Sequence, residues 1–210
     1  MRRLLIIDCV MSLVMASRVI VIGGGAAGLS CALEASAMGA QVTLLEKMPK
    51  IGGNSAKASS GINGCMTDVQ TLKNVADSYD AFEKDTLRTA NALADPALVS
   101  KLVHNSTDAI SFLISLGLPL ADVIQLGGHS VPRTHRLSTQ APIGFTLVNT
   151  LREEAEKRSN VRILTNHTVT SLLFRDSPDG RYVYGGTLYS VVVLGLPVCM
   201  LSPFTQWSTP

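Results

Sequence analysis

In "VIGGGAAG" the glycines Gly23, Gly25 and Gly28 stand at G-x-G-x-x-G spacing. That spacing lets a chain turn tightly at the first glycine, bring its backbone against a pyrophosphate at the second, and pack helix on strand at the third. The amides that open the following helix then face the phosphate charge. Further along stands Glu46, at the end of the next apolar run, where a carboxylate accepts hydrogen bonds from an adenosine ribose and repels a 2′-phosphate. The pattern is that of a bound dinucleotide, and it disfavours NADP.

These residues need a strand, a turn, a helix and a second strand around them. The β-branched run over 18–22 predicts a buried strand, 26–38 a helix with small residues on its sheet side, Gly39 its end, and 41–45 a second buried strand. A polar helical pattern follows over 75–89. Asp95 and Pro96 then supply an N-cap and a first-turn proline for a helix striped by Leu98, Leu102, Ala109, Leu113 and Leu116, with "NST" at Asn105 to Thr107 as a candidate break. "QLGGHSVPRTHRLSTQAPIG" has no periodicity and reads as a loop. A helix over 145–158, strands in "VRILT" and "VTSLLF", a Pro178-Asp179-Gly180 turn and a strand from Arg181 complete the pattern.

Composition narrows the class. At 210 residues, 46% hydrophobic and 16% charged, the chain holds enough apolar surface for a core, and a net charge of +2 without a basic block excludes a nucleic-acid footprint. The cysteines Cys9, Cys31, Cys65 and Cys199 lack zinc, iron–sulfur or disulfide spacing, and His104 and His167 lack ligand spacing, so no metal site is expected. Residues 1–17 carry two arginines and an apolar run broken by Asp8, which reads as a leader or linker and not as a membrane span. The chain thus divides into a leader over 1–17, a dinucleotide-binding domain over 18–188 and an aperiodic tail over 189–210.

The choice of FAD rests on the loop after Glu46. "EKMPKIGGNSAKASSGING" places Gly52, Gly53, Gly61 and Gly64 among small polar residues, which is how a chain approaches a flat, hydrogen-bonding ligand. A nicotinamide site has no use for such a loop. FAD does, because its isoalloxazine ring lies away from the pyrophosphate and needs its own cradle.

This loop and "LGGHSVPRTHR" resemble the soluble, flavoprotein-type fumarate reductases of yeast and trypanosomatids, members of the succinate dehydrogenase flavoprotein group. The resemblance runs from about Ser17 to Val183. It implies a Rossmann-like α/β FAD-binding domain with a central parallel sheet. It also implies contacts to the FAD phosphates and ribose from Ala27 and Glu46, with Lys47 beside them, and contacts to the pyrophosphate and ribityl region from Asn54 and Ser55. Backbone contacts beside the flavin fall to Ser60 and Gly61, and a main-chain contact at the adenine end to Val169.

The activity implied is hydride transfer from reduced flavin to fumarate, giving succinate, with the electron donor, NADH or a reduced flavin, left open. The compartment stays open as well, cytoplasmic or organellar (mitochondrial or glycosomal). A ketosteroid dehydrogenase or aspartate oxidase type of the same superfamily is the alternative, and a non-catalytic or non-functional FAD-binding fragment is another. His129, Arg133, His135 and Arg136 together could bind a dicarboxylate, but the resemblance gives their loop a supporting role. No residue matches the family's substrate histidine, threonine–glutamate pair or proton-donating arginine. An Ala-Thr-Gly-Gly turn expected after "RYVYGG" has no counterpart, so the domain is expected to be incomplete at its C-terminus and inactive alone, with no catalytic residue assigned.

Overall fold

Arg18–Ile22 forms β1, whose middle residues Val19, Ile20 and Val21 are buried, as a run of β-branched side chains in a parallel sheet should be. The structure is a computed structural model and describes residues 18–200 apart from Gln140, Asp179, Tyr189, Ser190 and 195–197. The leader reading over 1–17, part of the turn at Asp179 and the end of the tail lie outside the described residues. The described residues fall into two compact units. One holds Ala56–Thr150, and the other the described parts of Ile6–Ser55 and Leu151–Pro210.

The second unit is built on β1. Helix α1 (Ala26–Ala37) follows the glycine turn and buries Leu29, Ala32, Leu33 and Ala35, small or slender side chains that let it lie close to the sheet. Its C-terminus is held from far away in sequence. Asn160 Nδ2 donates to the carbonyls of Ser36 and Ala40, its Oδ1 accepts from Ser36 Oγ, and Arg158 donates to the carbonyl of Leu33. These bonds tie the last turn of α1 and Ala40 beyond it to the segment before β6.

Strand β2 (Gln41–Leu45) pairs with β1 in parallel. With β3 (Ile62–Asn63), β4 (Leu120–Ile124) and β5 (Thr134–Leu137) in the other unit, the next strand here is β6 (Val161–Leu164), parallel to β2. β7 (Val169–Ser177), β8 (Gly180–Leu188) and β9 (Val191–Leu194) form an antiparallel sheet in chain order, and β10 (Val198–Met200) returns to pair in parallel with β1. The parallel sheet therefore runs β10-β1-β2-β6, a Rossmann-like order for these strands. The tail read as aperiodic from Ser190 contains β9 and β10. Its prolines and lack of alternation hide strands of three and four residues.

In the first unit β5 pairs antiparallel with both β3 and β4. Three helices accompany them: α2 (Asp68–Leu72), α3 (Tyr79–Ala90) and α4 (Pro96–Ser115). α2 opens on a capping box between Thr67 and Gln70, and α3 on Ser78, whose hydroxyl accepts from Ala81 N–H, so that helix starts four residues later than its polar pattern predicts. Asp95 caps α4 through Ala97 and Leu98 N–H, with Pro96 at the first position.

α4 does not break at "NST". Asn105 and Ser106 bond back to the carbonyls of Lys101 and Val103, and Thr107 donates to the Cys65 carbonyl, so these side chains do not compete with the helix. Phe82, Cys65 and Val103 form a buried cluster beside these helices, with Tyr79 and Val99 packed on it. Helix α5 (Ile143–Glu156) spans the sequence boundary between the units.

Candidate functional site

Three glycines of the first turn are required by the chain itself, and one is not. Gly23 has φ +102, in the region that favours glycine, and its N–H donates to Leu45 O at 2.8 Å. A Cβ on Gly28 would collide with the Gly23 carbonyl, and one on Gly24 would lie 2.9 Å from Ile51 Cγ2. Gly25 is different. Its backbone is extended, with φ −77 and ψ −179, and a Cβ there would meet nothing nearer than Ser55 Oγ at 3.5 Å, an ordinary contact. The packing of the chain itself therefore does not require glycine at this position.

The same turn opens α1. Ala26 N–H donates to Ser55 Oγ at 3.2 Å, Ala27 is exposed, and the first-turn amides of a helix have no acceptor within it. The loop after β2 is tied back to the turn through Gly52 N–H, which donates to Gly24 O at 2.7 Å. Gly53 sits at φ +49 with nothing within 4 Å of a Cβ, and Asn54 is exposed.

Glu46 is 7% exposed and fixed in place. Oε2 accepts from Gly24 N–H and Oε1 from Met48 N–H, both at 2.8 Å. A carboxylate offers about four lone-pair directions, so these two bonds leave room for two more donors. The backbone beside it is laced to the end of β6: Glu46 N–H donates to Leu164 O, His167 N–H to Glu46 O and Asn166 N–H to Met48 O. Lys47 is exposed, and Val169, the first residue of β7, is half-buried.

Gly23, Gly25, Ala27, Gly28, Glu46, Lys47, Gly53, Asn54, Ser55 and Val169 thus belong to one unit, and contacts in that unit join the turn, Glu46 and the Gly52–Ser55 segment. Ser60 and Gly61 belong to the other. The Ser60 carbonyl accepts from Arg136 Nε at 2.9 Å. Gly61, at φ +152, lies so close to β5 that a Cβ would strike the Thr134 methyl and the His135 carbonyl, which gives this glycine a reason independent of any ligand.

The "GGHSVPRTHR" residues are largely turned inward. Arg133 is fully buried and donates through Nε and Nη2 to Asp77, each at 2.7 Å, and through Nη1 to Asp85 at 2.5 Å, with its guanidinium over the Phe82 ring. Burial alone would lower the Arg133 pKa, but the two carboxylates raise it. Burial alone would likewise raise the Asp85 carboxyl. Hydrogen bonds from Arg133, from the Ser130 hydroxyl and amide and from Arg88 instead hold it well below the usual carboxylate range.

His135 is also fully buried. Its Nδ1 lies 2.9 Å from the Arg133 carbonyl, so Nδ1 carries the hydrogen and Nε2 accepts from Thr67 Oγ1 at 2.7 Å. Burial pushes the imidazoles of His135 and His129 below the ordinary histidine value. Asp77, Asp85, Thr67 and Gln70, which complete this network, were not singled out by sequence. Asp85 sits among alternating charges in α3, and only the Thr67–Gln70 capping box left a readable signal. The stretch read as a loop contains β5 for the same reason: its polar residues are paired internally.

A Rossmann-like strand order with a glycine turn and an acidic residue at the end of β2 defines a dinucleotide-binding domain. Residues 18–194 match the family described as FAD binding domain, and the chain belongs to that family, with FAD as the cofactor indicated. It is 44% identical over 175 residues to fumarate reductase 1 of Saccharomyces cerevisiae, covering 80% of this chain and 37% of that protein. It is 36% identical over 178 residues to a cytochrome-type fumarate reductase of Shewanella frigidimarina, covering 85% of this chain and 30% of the relative. The chain therefore spans about a third of the length of these relatives.

The open conformation of a flavocytochrome c3 fumarate reductase superposes with a TM-score of 0.78 at 29% identity, over 92% of this chain and 34% of that one. A 3-ketosteroid-Δ4-(5α)-dehydrogenase from Rhodococcus jostii shares the fold at 23% identity. Among the described residues, no helix is long and apolar enough to cross a membrane, and no group of three or more acidic, histidine or cysteine side chains could hold a metal ion.

Proposed function

We propose that this chain is the FAD-holding part of a fumarate reductase. The observation that carries it is the contrast at the first turn, where Gly25 is the glycine that the chain's own packing does not demand. The pyrophosphate lies over Gly25 and the amides of Ala26 and Ala27 at the start of α1, with Ser55 and Asn54 completing its contacts. Glu46, already oriented by Gly24 and Met48 N–H, takes the adenosine ribose hydroxyls. Lys47 borders this end, Gly53 keeps the loop low, Val169 contacts adenine through its main chain, and Ser60 and Gly61 line the flavin through theirs.

When bound, the flavin supplies hydride for a substrate double bond, here that of fumarate, and the protein supplies position and charge. The identity of 44% to a fumarate reductase, against 29% to an L-aspartate oxidase, favours fumarate over the substrates of other superfamily members. None of the residues matches the substrate-binding or proton-donating positions that the family resemblance implies. The chain by itself therefore holds flavin without reducing fumarate. The electron donor, NADH or a reduced flavin, meets the whole enzyme, in a cytoplasmic or organellar compartment.

Incubation with FAD followed by gel filtration tests this. Flavin absorbance should travel with the protein, and no fumarate-dependent oxidation of reduced flavin should follow. A folded, colourless protein overturns the binding assignment, and turnover of fumarate overturns the inactive one.

A further inference from the structure

Resting on the flavin contacts proposed for Ser60 and Gly61, a side chain outside that pair fixes which of their main-chain groups is offered to the ring. Arg136, on β5, donates from Nε to the Ser60 carbonyl at 2.9 Å. In "GGHSVPRTHR" Arg133 and His135 are fully buried and His129 is half-buried, whereas Arg136 is exposed. A second carbonyl of the segment leading to Gly61 is held as well, that of Ala58, which accepts from Gly144 N–H at 2.8 Å.

Across a trans peptide the carbonyl and the following N–H point in opposite directions, and none of the described peptides is cis. A Ser60 carbonyl held by Arg136 therefore sends the Gly61 N–H the other way. The sheet agrees with this. β3 lies at the edge of its sheet and pairs Ile62 with His135 and Asn63 with Thr134. Gly64 N–H donates to Arg133 O, so residues 62 and 64 turn their main-chain groups to β5, and residue 61 turns its own away from it. Among the described residues, none accepts from the Gly61 N–H. The Gly61 backbone lies so close to Thr134 and His135 that it has little room to turn.

We infer that Arg136 is a positioning residue for the flavin: by holding the Ser60 carbonyl it presents the Gly61 N–H as a donor to the isoalloxazine ring, whose nitrogens and carbonyl oxygens accept. Arg136 itself does not touch the cofactor. Its charge polarises the Ser60–Gly61 peptide, which strengthens the N–H as a donor.

The test titrates the full chain with FAD and with ADP, which carries the same nucleotide end and no flavin ring, while the amide proton resonance of Gly61 is followed by NMR. In the unmodified chain FAD should move that resonance downfield, and ADP should leave it in place. Arg136→Ala should weaken FAD about three- to tenfold, the range for one hydrogen bond, leave ADP unchanged and shrink the Gly61 shift. Arg136→Lys, which restores a cationic donor, should recover most of the affinity and the shift. A Gly61 resonance that does not respond to FAD in the unmodified chain, or equal losses of FAD and ADP in Arg136→Ala, overturns the inference and leaves the nucleotide site standing. Failure of the unmodified chain to bind either ligand overturns the site and the inference with it. Thermal melts of both variants separate a lost contact from a lost fold.

Discussion

The two units treat polar residues in opposite ways. Around Gly23–Gly28 and Glu46, backbone and carboxylate are oriented but not saturated: a helix end, a glycine without a packing reason, and an acid with lone pairs in reserve. Around Arg133 and His135, every strong donor faces an internal acceptor, and burial is complete. Two glycine-bearing motifs of similar polarity thus have different destinations. A motif rich in cationic side chains is a poor guide to a binding site when acidic residues elsewhere in the chain are placed to neutralise it.

The largest effect expected from breaking this contrast is at Arg133. Arg133→Met leaves Asp77 and Asp85 buried without their partner and should cost about 3–5 kcal/mol in a urea titration. Retention of wild-type stability would mean that the network is not held as described. At the other unit's rim, Asn160→Ala removes the bonds to Ser36 and Ala40 and should cost about 1–3 kcal/mol.

Acid should separate the regions as well. Folded His135 and His129 sit below their ordinary value of 6.5, so the unfolded chain binds more protons once the pH falls below about that value. Stability is full above it and declines on acidification. Asp85, held below its ordinary 3.8, adds a second loss only under strongly acid conditions. Unfolding midpoints measured from pH 8 down to pH 3 should fall in that order, and a flat profile between pH 7 and pH 5 contradicts the burial of the imidazoles.

The smallest stability change, and the sharpest test, is Gly25→Ala. The melt should shift by less than about 0.5 kcal/mol, because the added methyl fits the chain. FAD affinity should nevertheless fall more than about tenfold, about 1.4 kcal/mol. If affinity survives, the pyrophosphate does not lie over that residue.

Much of the nucleotide-binding unit was legible because its signals are local. Gly23, Gly28 and Gly39, the helix between them and the acid at the end of β2 follow from turn geometry and period, and Asp95-Pro96 marked the start of α4 in the other unit in the same way. β5 and β10 were not legible. β5 owes its existence to strands on either side of it, and β10 to pairing with β1, partners that no window of sequence displays. The same holds for the site: Glu46 could be read from spacing, whereas the amides that aim it, and the acids that consume Arg133, come from residues that converge only on folding.

The clamp of Asn160 on α1 has a consequence for the order of assembly. Its partners Ser36 and Ala40 are 124 and 120 residues away. β1, α1 and β2 can form as soon as they are synthesised, but β6, the clamp and the segment bracing Glu46 arrive only after the whole of the first unit has left the ribosome. Closing a loop of that length is entropically modest, growing by about 0.6 kcal/mol per doubling, yet it is slow when the intervening chain is still a coil. Rapid collapse of residues 56–150 would shorten the effective loop. The brace on α1 and on Glu46 is thus a long-range feature that the strand–turn–helix unit at the start of the chain does not possess by itself.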